Sequence, residues 1–131
     1  MNDSPLGFYV HVPFCTVKCS YCDFNSYAGI EDMQAEWLEA ALVETTLWAP
    51  RLVGRQVSTI FIGGGTPSLL SGESVGRLLG EIRGQIDIDT DAEITLEANP
   101  ESVEPQRLTA YREAGVNRIS MGVQSLDSSE L

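Results

Sequence analysis

The run "VSTIFIG" (57–63) is near-continuous in its apolar character, with Ile60, Phe61 and Ile62 in succession, rather than apolar at every second position. A strand with one wet face alternates. A strand covered on both faces does not, and such strands belong to parallel sheets packed under helices. The flanking segments have helical period. Over 31–49, Met33, Trp37, Leu38, Ala41, Leu42 and Trp48 fall near one face, and Pro50 marks the end. Further on, Ser71 reads as an N-cap, followed by a stripe of Val75, Leu78, Leu79 and Ile82. "GFYVHV" (7–12), "AEITLEA" (92–98) and "NRISMGV" (117–123) read as further strands. Residues 104–114 read as a third helix, with Pro105 in the first turn and Gly115 as the stop. The closing "DSSEL" resembles the start of another helix. The order is β-α-β-α-β-α-β. Strands joined by helices of this length run parallel through right-handed crossovers. Two α/β architectures satisfy that order: an open doubly wound sheet, or part of a β/α barrel.

In both, chemistry gathers at the C-terminal ends of the strands. The conspicuous motifs sit there: a cysteine loop after the first strand, "GGGT" after the second, "EANPE" after the third and "GVQS" after the fourth. Packing alone does not explain four such features on one rim. The 131 residues are enough for one domain with a real core. No apolar run approaches the ~20 residues that span a bilayer. The N-terminus "MNDSPLGFYV" lacks the pattern of a secretory signal, so a cytoplasmic location is expected. The net charge of −11, from 19 acids against 8 bases, fits a solvated surface and argues against a nucleic-acid footprint.

All three cysteines, Cys15, Cys19 and Cys22, lie in "HVPFCTVKCSYCDF" (11–24). Clustered cysteines in a reducing compartment point to metal or redox chemistry rather than disulfides. The spacing C-x3-C-x2-C suits a [4Fe–4S] cluster held by three thiolates, with the fourth iron open to a ligand carrying an amine and a carboxylate. Pro13, Phe14, Val17, Tyr21 and Phe24 offer apolar shielding. The rival is a Cys3His zinc site completed by His11, although the usual set of paired C-x2-C knuckles is missing, Cys19 and Cys22 forming a single such step. His11 also reads simply as a hydrogen-bonded rim residue. The Gly run lets backbone approach a ligand, and equally well makes a tight turn. Glu97 can accept from hydroxyls or an ammonium group, or can form a rim salt bridge, for which Arg118 is the candidate partner. Gln124 can donate and accept. Met33 and Met121 read as core residues, and Trp37 and Trp48 as helix packing.

"YVHVPFCTVKCSYC" resembles the signature of the radical S-adenosylmethionine (SAM) superfamily. With "CSYCDFNSY", "FIGGGTPSLL", "LEANPE" and "GVNRISMGVQS", it resembles the oxygen-independent coproporphyrinogen III oxidase-like family over nearly all of 8–126. The resemblance implies a [4Fe–4S] cluster on Cys15, Cys19 and Cys22, with SAM on its open iron. Reduction of the cluster then cleaves SAM to a 5′-deoxyadenosyl radical. It further implies SAM contacts at Tyr9, Tyr21, Gly64, Gly65, Thr66, Glu97 and Gln124, and assigns no catalytic side chain.

Two departures refine this. The true dehydrogenases of the family carry a further cysteine two positions after the triplet, where this chain has Phe24. "CDFNSY" instead resembles the haem chaperone branch. That branch implies haem or porphyrin as cargo, haem-accepting respiratory proteins and an electron donor as partners, and, for a full-length protein only, peripheral membrane association. Catalysis stays open: the alternatives are oxidative decarboxylation of coproporphyrinogen III, and a zinc- or cluster-bearing binding module without SAM chemistry. The second departure is length, since a complete β/α barrel takes roughly 250 residues. Residues 1–131 are expected to be the N-terminal part of a radical SAM core, about four βα units of a partial (β/α)6 barrel. An exposed parallel edge strand makes such a piece alone poorly stable or prone to aggregate.

Overall fold

A computed structural model describes residues 4–14, 30–100 and 103–122. The elements alternate as β1 (Leu6–Val12), α1 (Ile30–Trp48), β2 (Val57–Gly64), α2 (Gly72–Gln85), β3 (Ile88–Ala98), α3 (Pro105–Ala114) and β4 (Arg118–Met121). The sheet order is β1-β2-β3-β4, with every neighbouring pair parallel. This order separates the two candidate architectures. A doubly wound sheet reverses its strand order at a switch point. No reversal occurs among these four strands, so right-handed crossovers put all three helices on one face. α2 accordingly packs between α1 and α3. The result is an α/β segment of a barrel wall.

The helix-facing side of the sheet is the core. Val10 and Val12 of β1, Val57, Ile60 and Ile62 of β2, and Ile94, Leu96 and Ala98 of β3 meet Leu38 of α1, the whole α2 stripe (Val75, Leu78, Leu79, Ile82) and Tyr111 of α3. Ser71 caps α2, its hydroxyl accepting from the Ser74 N–H at 3.0 Å. α3 begins at Pro105 and ends at Gly115, whose φ of +117° is the left-handed stop. Close approach of α2 to α3 depends on Gly72, where a Cβ would collide with the Ala110 methyl.

Several expectations shift. Pro50 lies inside a short 3-10 turn, Ala49–Leu52, that extends α1 instead of ending it abruptly. β3 starts at Ile88, four residues early. Its first residues, "IDTD", are polar after Ile88 and contain an Asx turn in which Asp91 N–H donates to Asp89 Oδ1. The pairing jumps there from Val57↔Ile88 to Thr59↔Glu93. Asn117 lies outside β4 yet pairs with β3 through both backbone and side chain: its N–H donates to Ile94 O at 2.9 Å, Oδ1 accepts from Ile94 N–H at 2.8 Å and Nδ2 donates to Ala92 O at 2.9 Å. Met33, Trp48 and Met121 are 41%, 46% and 45% exposed, so they are surface rather than core residues. Trp37 packs as expected, meeting the buried Phe14 edge-on. Among the described residues no helix is long and apolar enough to cross a membrane.

Candidate functional site

The opposite sheet face carries a different chemistry. Parallel register stacks its residues in layers. Gly7, Thr59 and Glu93 form the lowest. Tyr9, Phe61, Thr95 and Arg118 form the next. His11 pairs with Gly63, and Glu97 with Ser120, at the C-terminal rim. A packed barrel interior is dominated by branched aliphatic side chains. This face has glycine, aromatic, hydroxyl and charged groups instead, and the glycines and polar groups leave room and polar partners for a ligand.

The rim is built around Glu97 and the bend after β2. Glu97 Oε1 accepts from Gly64 N–H at 2.9 Å. That contact needs glycine twice. A Cβ on Gly63 would run into the Glu97 carboxylate and the Phe61 ring. Gly64 has φ +115°, and a Cβ there would lie 2.7 Å from Val12 O and 2.8 Å from the His11 ring. The next two N–H groups also turn inward: Gly65 donates to Val12 O at 2.6 Å and Thr66 to Phe14 O at 2.5 Å. Three consecutive donors are therefore used internally. Polar recognition by this run falls to carbonyl oxygens and to the Glu97 carboxylate, an acceptor set that suits an ammonium group or sugar hydroxyls. The same bonds tie the bend to residues 12–14, the root of the cysteine loop.

Arg118 does not neutralise Glu97. Its guanidinium lies one layer lower, 3.5 Å from Glu93 Oε1 and 3.4 Å from Thr95 Oγ1. Among the described residues Glu97 makes no ion pair, so Arg118 is not its salt-bridge partner. Tyr9 stacks on Phe61 with centroids 6.0 Å apart, and its hydroxyl lies 3.2 Å from His11 Nδ1. The structure thus brings Tyr9, His11, Gly64 and Glu97 together, with Gly64 and Gly65 exposed and Thr66 largely buried. Cys15, Cys19, Cys22, Tyr21 and Gln124 lie outside the described residues. A groove of about 550 Å3 runs along the outer edge of β1 against α1; it is lined by Tyr9 and His11 but by none of Gly64, Thr66 or Glu97.

Sequence reasoning missed the support beneath the bend. Ser68 is fully buried, and its hydroxyl accepts from Asn99 N–H at 3.1 Å. Its carbonyl accepts from Arg107 Nη1 at 2.6 Å and from Tyr111 Oη at 3.0 Å. Tyr111 Oη also lies 2.5 Å from Leu70 O. Burial raises the Tyr111 pKa above the ordinary tyrosine value, and Arg107 pulls it partly back. Gly63 was missed as well, since nothing in a glycine run says which member clears space for a carboxylate.

Residues 9–129 match the radical SAM superfamily.

The chain belongs to the radical SAM superfamily.

Its relatives narrow the comparison. It is 48% identical over 128 residues to the heme chaperone HemW of Escherichia coli, covering 97% of this chain and 34% of that protein. It is 45% identical to the mitochondrial radical S-adenosyl methionine domain-containing protein 1 of Bos taurus, covering 95% of this chain and 28% of the other. Among solved structures it is similar to the coproporphyrinogen III oxidase HemN of Escherichia coli, a radical SAM enzyme, with TM-score 0.80 and 37% identity. That match covers 97% of this chain and 30% of the other. The chain thus spans about a third of the length of the relatives it matches. Similarity to haem chaperones and to a coproporphyrinogen oxidase agrees with the motif resemblance, and the barrel-wall fold agrees with the HemN match.

Proposed function

We propose that residues 1–131 are the N-terminal part of a radical SAM core. In it Cys15, Cys19 and Cys22 hold a [4Fe–4S] cluster, and the β2–β3 rim holds SAM. The observation that carries this reading is the Glu97 carboxylate. It is fixed by the Gly64 N–H at 2.9 Å, has no cationic partner among the described residues, and sits in a bend whose donors are already used. That is a preformed site for a ligand rich in hydrogen-bond donors, attached through residues 12–14 to the cysteine loop. In this assignment Glu97 and the carbonyls of Gly64 and Gly65 orient SAM. Tyr9 lines the wall beside it, Thr66 anchors the bend, and Tyr21 and Gln124 complete the contacts. Bound there, the cluster and SAM supply one-electron chemistry, fed by an electron donor.

For the whole protein we propose a haem chaperone: it binds haem and passes it to respiratory acceptors in the cytoplasm. Phe24 in place of a fourth cysteine and 48% identity to a heme chaperone support this. The second reading is oxidation of coproporphyrinogen III, favoured by the TM-score of 0.80 to HemN.

The test is anaerobic reconstitution with iron and sulfide, followed by EPR of the reduced protein with and without SAM. A [4Fe–4S] signal that shifts with SAM is expected. Zinc in place of iron, or a cluster indifferent to SAM, sinks the reading. Haem titration of the longer protein and an anaerobic decarboxylation assay then separate chaperone from oxidase.

A further inference from the structure

We propose that Tyr111 and Arg107 of α3 are positioning residues for the Gly64–Thr66 bend. They would set the geometry of the SAM site from the far side of the loop, touching neither SAM nor the cluster. The inference rests on the SAM reading above. The segment 66–70 is a short bridge with fixed attachments at both ends. On the rim side, Gly65 and Thr66 donate to the carbonyls of Val12 and Phe14. On the helix side, Arg107 Nη1 grips Ser68 O at 2.6 Å, and the Tyr111 hydroxyl lies between Ser68 O and Leu70 O. Between them, the Thr66 and Pro67 carbonyls accept from the N–H groups of Leu69 and Leu70 in one tight 3-10 turn.

The turn leaves little slack. Carbonyls of a surface loop are ordinarily satisfied by water. Here Ser68 and Leu70 are buried, and the carbonyl of each is met by a side chain projecting from α3. Tyr111 is itself 1% exposed, so no water can replace its hydroxyl without rearrangement. Arg107 donates at short range to a neutral carbonyl, and no acidic partner of its own is found among the described residues. A guanidinium used this way acts as a clamp on one backbone atom. If the clamp loosens, movement passes through a single turn to Thr66 and Gly65, and from there to the first cysteine's root and the Gly64–Glu97 contact. Helix α3 would thus decide whether the ligand-facing carbonyls and Glu97 hold their spacing.

The experiment compares wild type with Tyr111→Phe, Arg107→Met and Arg107→Lys, in the longer protein that carries the complete radical SAM core, with two readouts. The first is amide hydrogen exchange of the metal-free protein. The Gly65 and Thr66 amides are expected to exchange about tenfold faster in Tyr111→Phe and Arg107→Met, the size of one lost hydrogen bond. Ile62 and Leu96 amides, in the sheet core, are expected to stay unchanged, and Arg107→Lys to restore protection in part. Equal exchange at Gly65 and Thr66 in wild type and variants, or uniform acceleration at all four amides, overturns the clamp. The second is SAM affinity after anaerobic reconstitution. A weakening of about tenfold in both clamp variants, at unchanged iron content, is expected for a positioning role. Unchanged affinity with accelerated local exchange overturns it, because the bend would then be loose without consequence. Failure of the wild type itself to bind SAM removes the parent SAM reading, and the exchange data then decide whether the clamp holds the bend. Arg107→Met, at a half-buried position, keeps the test available if Tyr111→Phe does not fold.

Discussion

Replacing Gly63 by alanine tests the rim geometry directly. Its backbone is ordinary strand, so alanine is not disfavoured by φ and gains about 0.5–1 kcal/mol through lower unfolded-state entropy. Against that, the new methyl occupies space now held by the Glu97 carboxylate and lies 2.7 Å from Phe61 Cε1. Forcing a methyl into a filled position costs about 1–3 kcal/mol. If Glu97 swings away, the charge-assisted bond from Gly64 is lost, for about 1.5–3 kcal/mol. The net expectation is a destabilisation of about 2–5 kcal/mol, a large share of the about 5–15 kcal/mol available to a domain of this size. Urea unfolding followed by the fluorescence of Trp37 and Trp48 measures it. Glu97→Ala provides the decisive comparison. In that background the carboxylate is absent, so Gly63→Ala is expected to cost about 1.5–3 kcal/mol less. Additivity of the two substitutions within about 0.5 kcal/mol would refute the packing of Glu97 into the glycine bend.

Other outcomes follow from the same contacts. Gly72→Ala is expected to destabilise by about 1–3 kcal/mol through collision with Ala110, whereas Gly80→Ala, with nothing within 4 Å of its Cβ, is expected to stabilise by about 1 kcal/mol; melting curves of the two should move in opposite directions. Asn117→Ala removes the side-chain link between β3 and β4 and is expected to cost about 1–3 kcal/mol in denaturant titration. Tyr111 has a folded pKa above its ordinary value of 10.0, so the native state holds its proton more tightly than the unfolded chain. Its stabilisation is complete below pH 10 and declines as pH rises through the higher folded value. Unfolding free energies at increasing alkaline pH should therefore fall more steeply in wild type than in Tyr111→Phe. Cys15→Ser, Cys19→Ser and Cys22→Ser are each expected to lose most of the reconstituted iron, read by iron and sulfide analysis.

Much of this protein was legible in its amino-acid order because the information is local. The stripe Val75, Leu78, Leu79, Ile82 lies on one helix face whatever it packs against, and all four residues are buried. Ser71, Pro105 and Gly115 act through the peptide groups next to them, and each does what its residue type allows. The exposed positions were harder. Met33, Trp48 and Met121 are apolar enough for a core, but whether a neighbour covers them depends on the element placed opposite. β3 concealed its start because "IDTD", polar after Ile88, contains an Asx turn that only its partner strand reveals as part of the sheet.

The sequence by itself determined the alternation of strands and helices, the ends of α2 and α3, and the presence of four chemical motifs at strand ends. Each depends on side chains within a few residues of one another. Only the tertiary structure decided the sheet order, which depends on how crossovers stack. It also decided that Glu97 meets a glycine bend while Arg118 meets Glu93, and that α3 supports the loop before α2. Those pairings join residues 25 to 43 positions apart, and strand register, with its period of two, determines which of them share a layer.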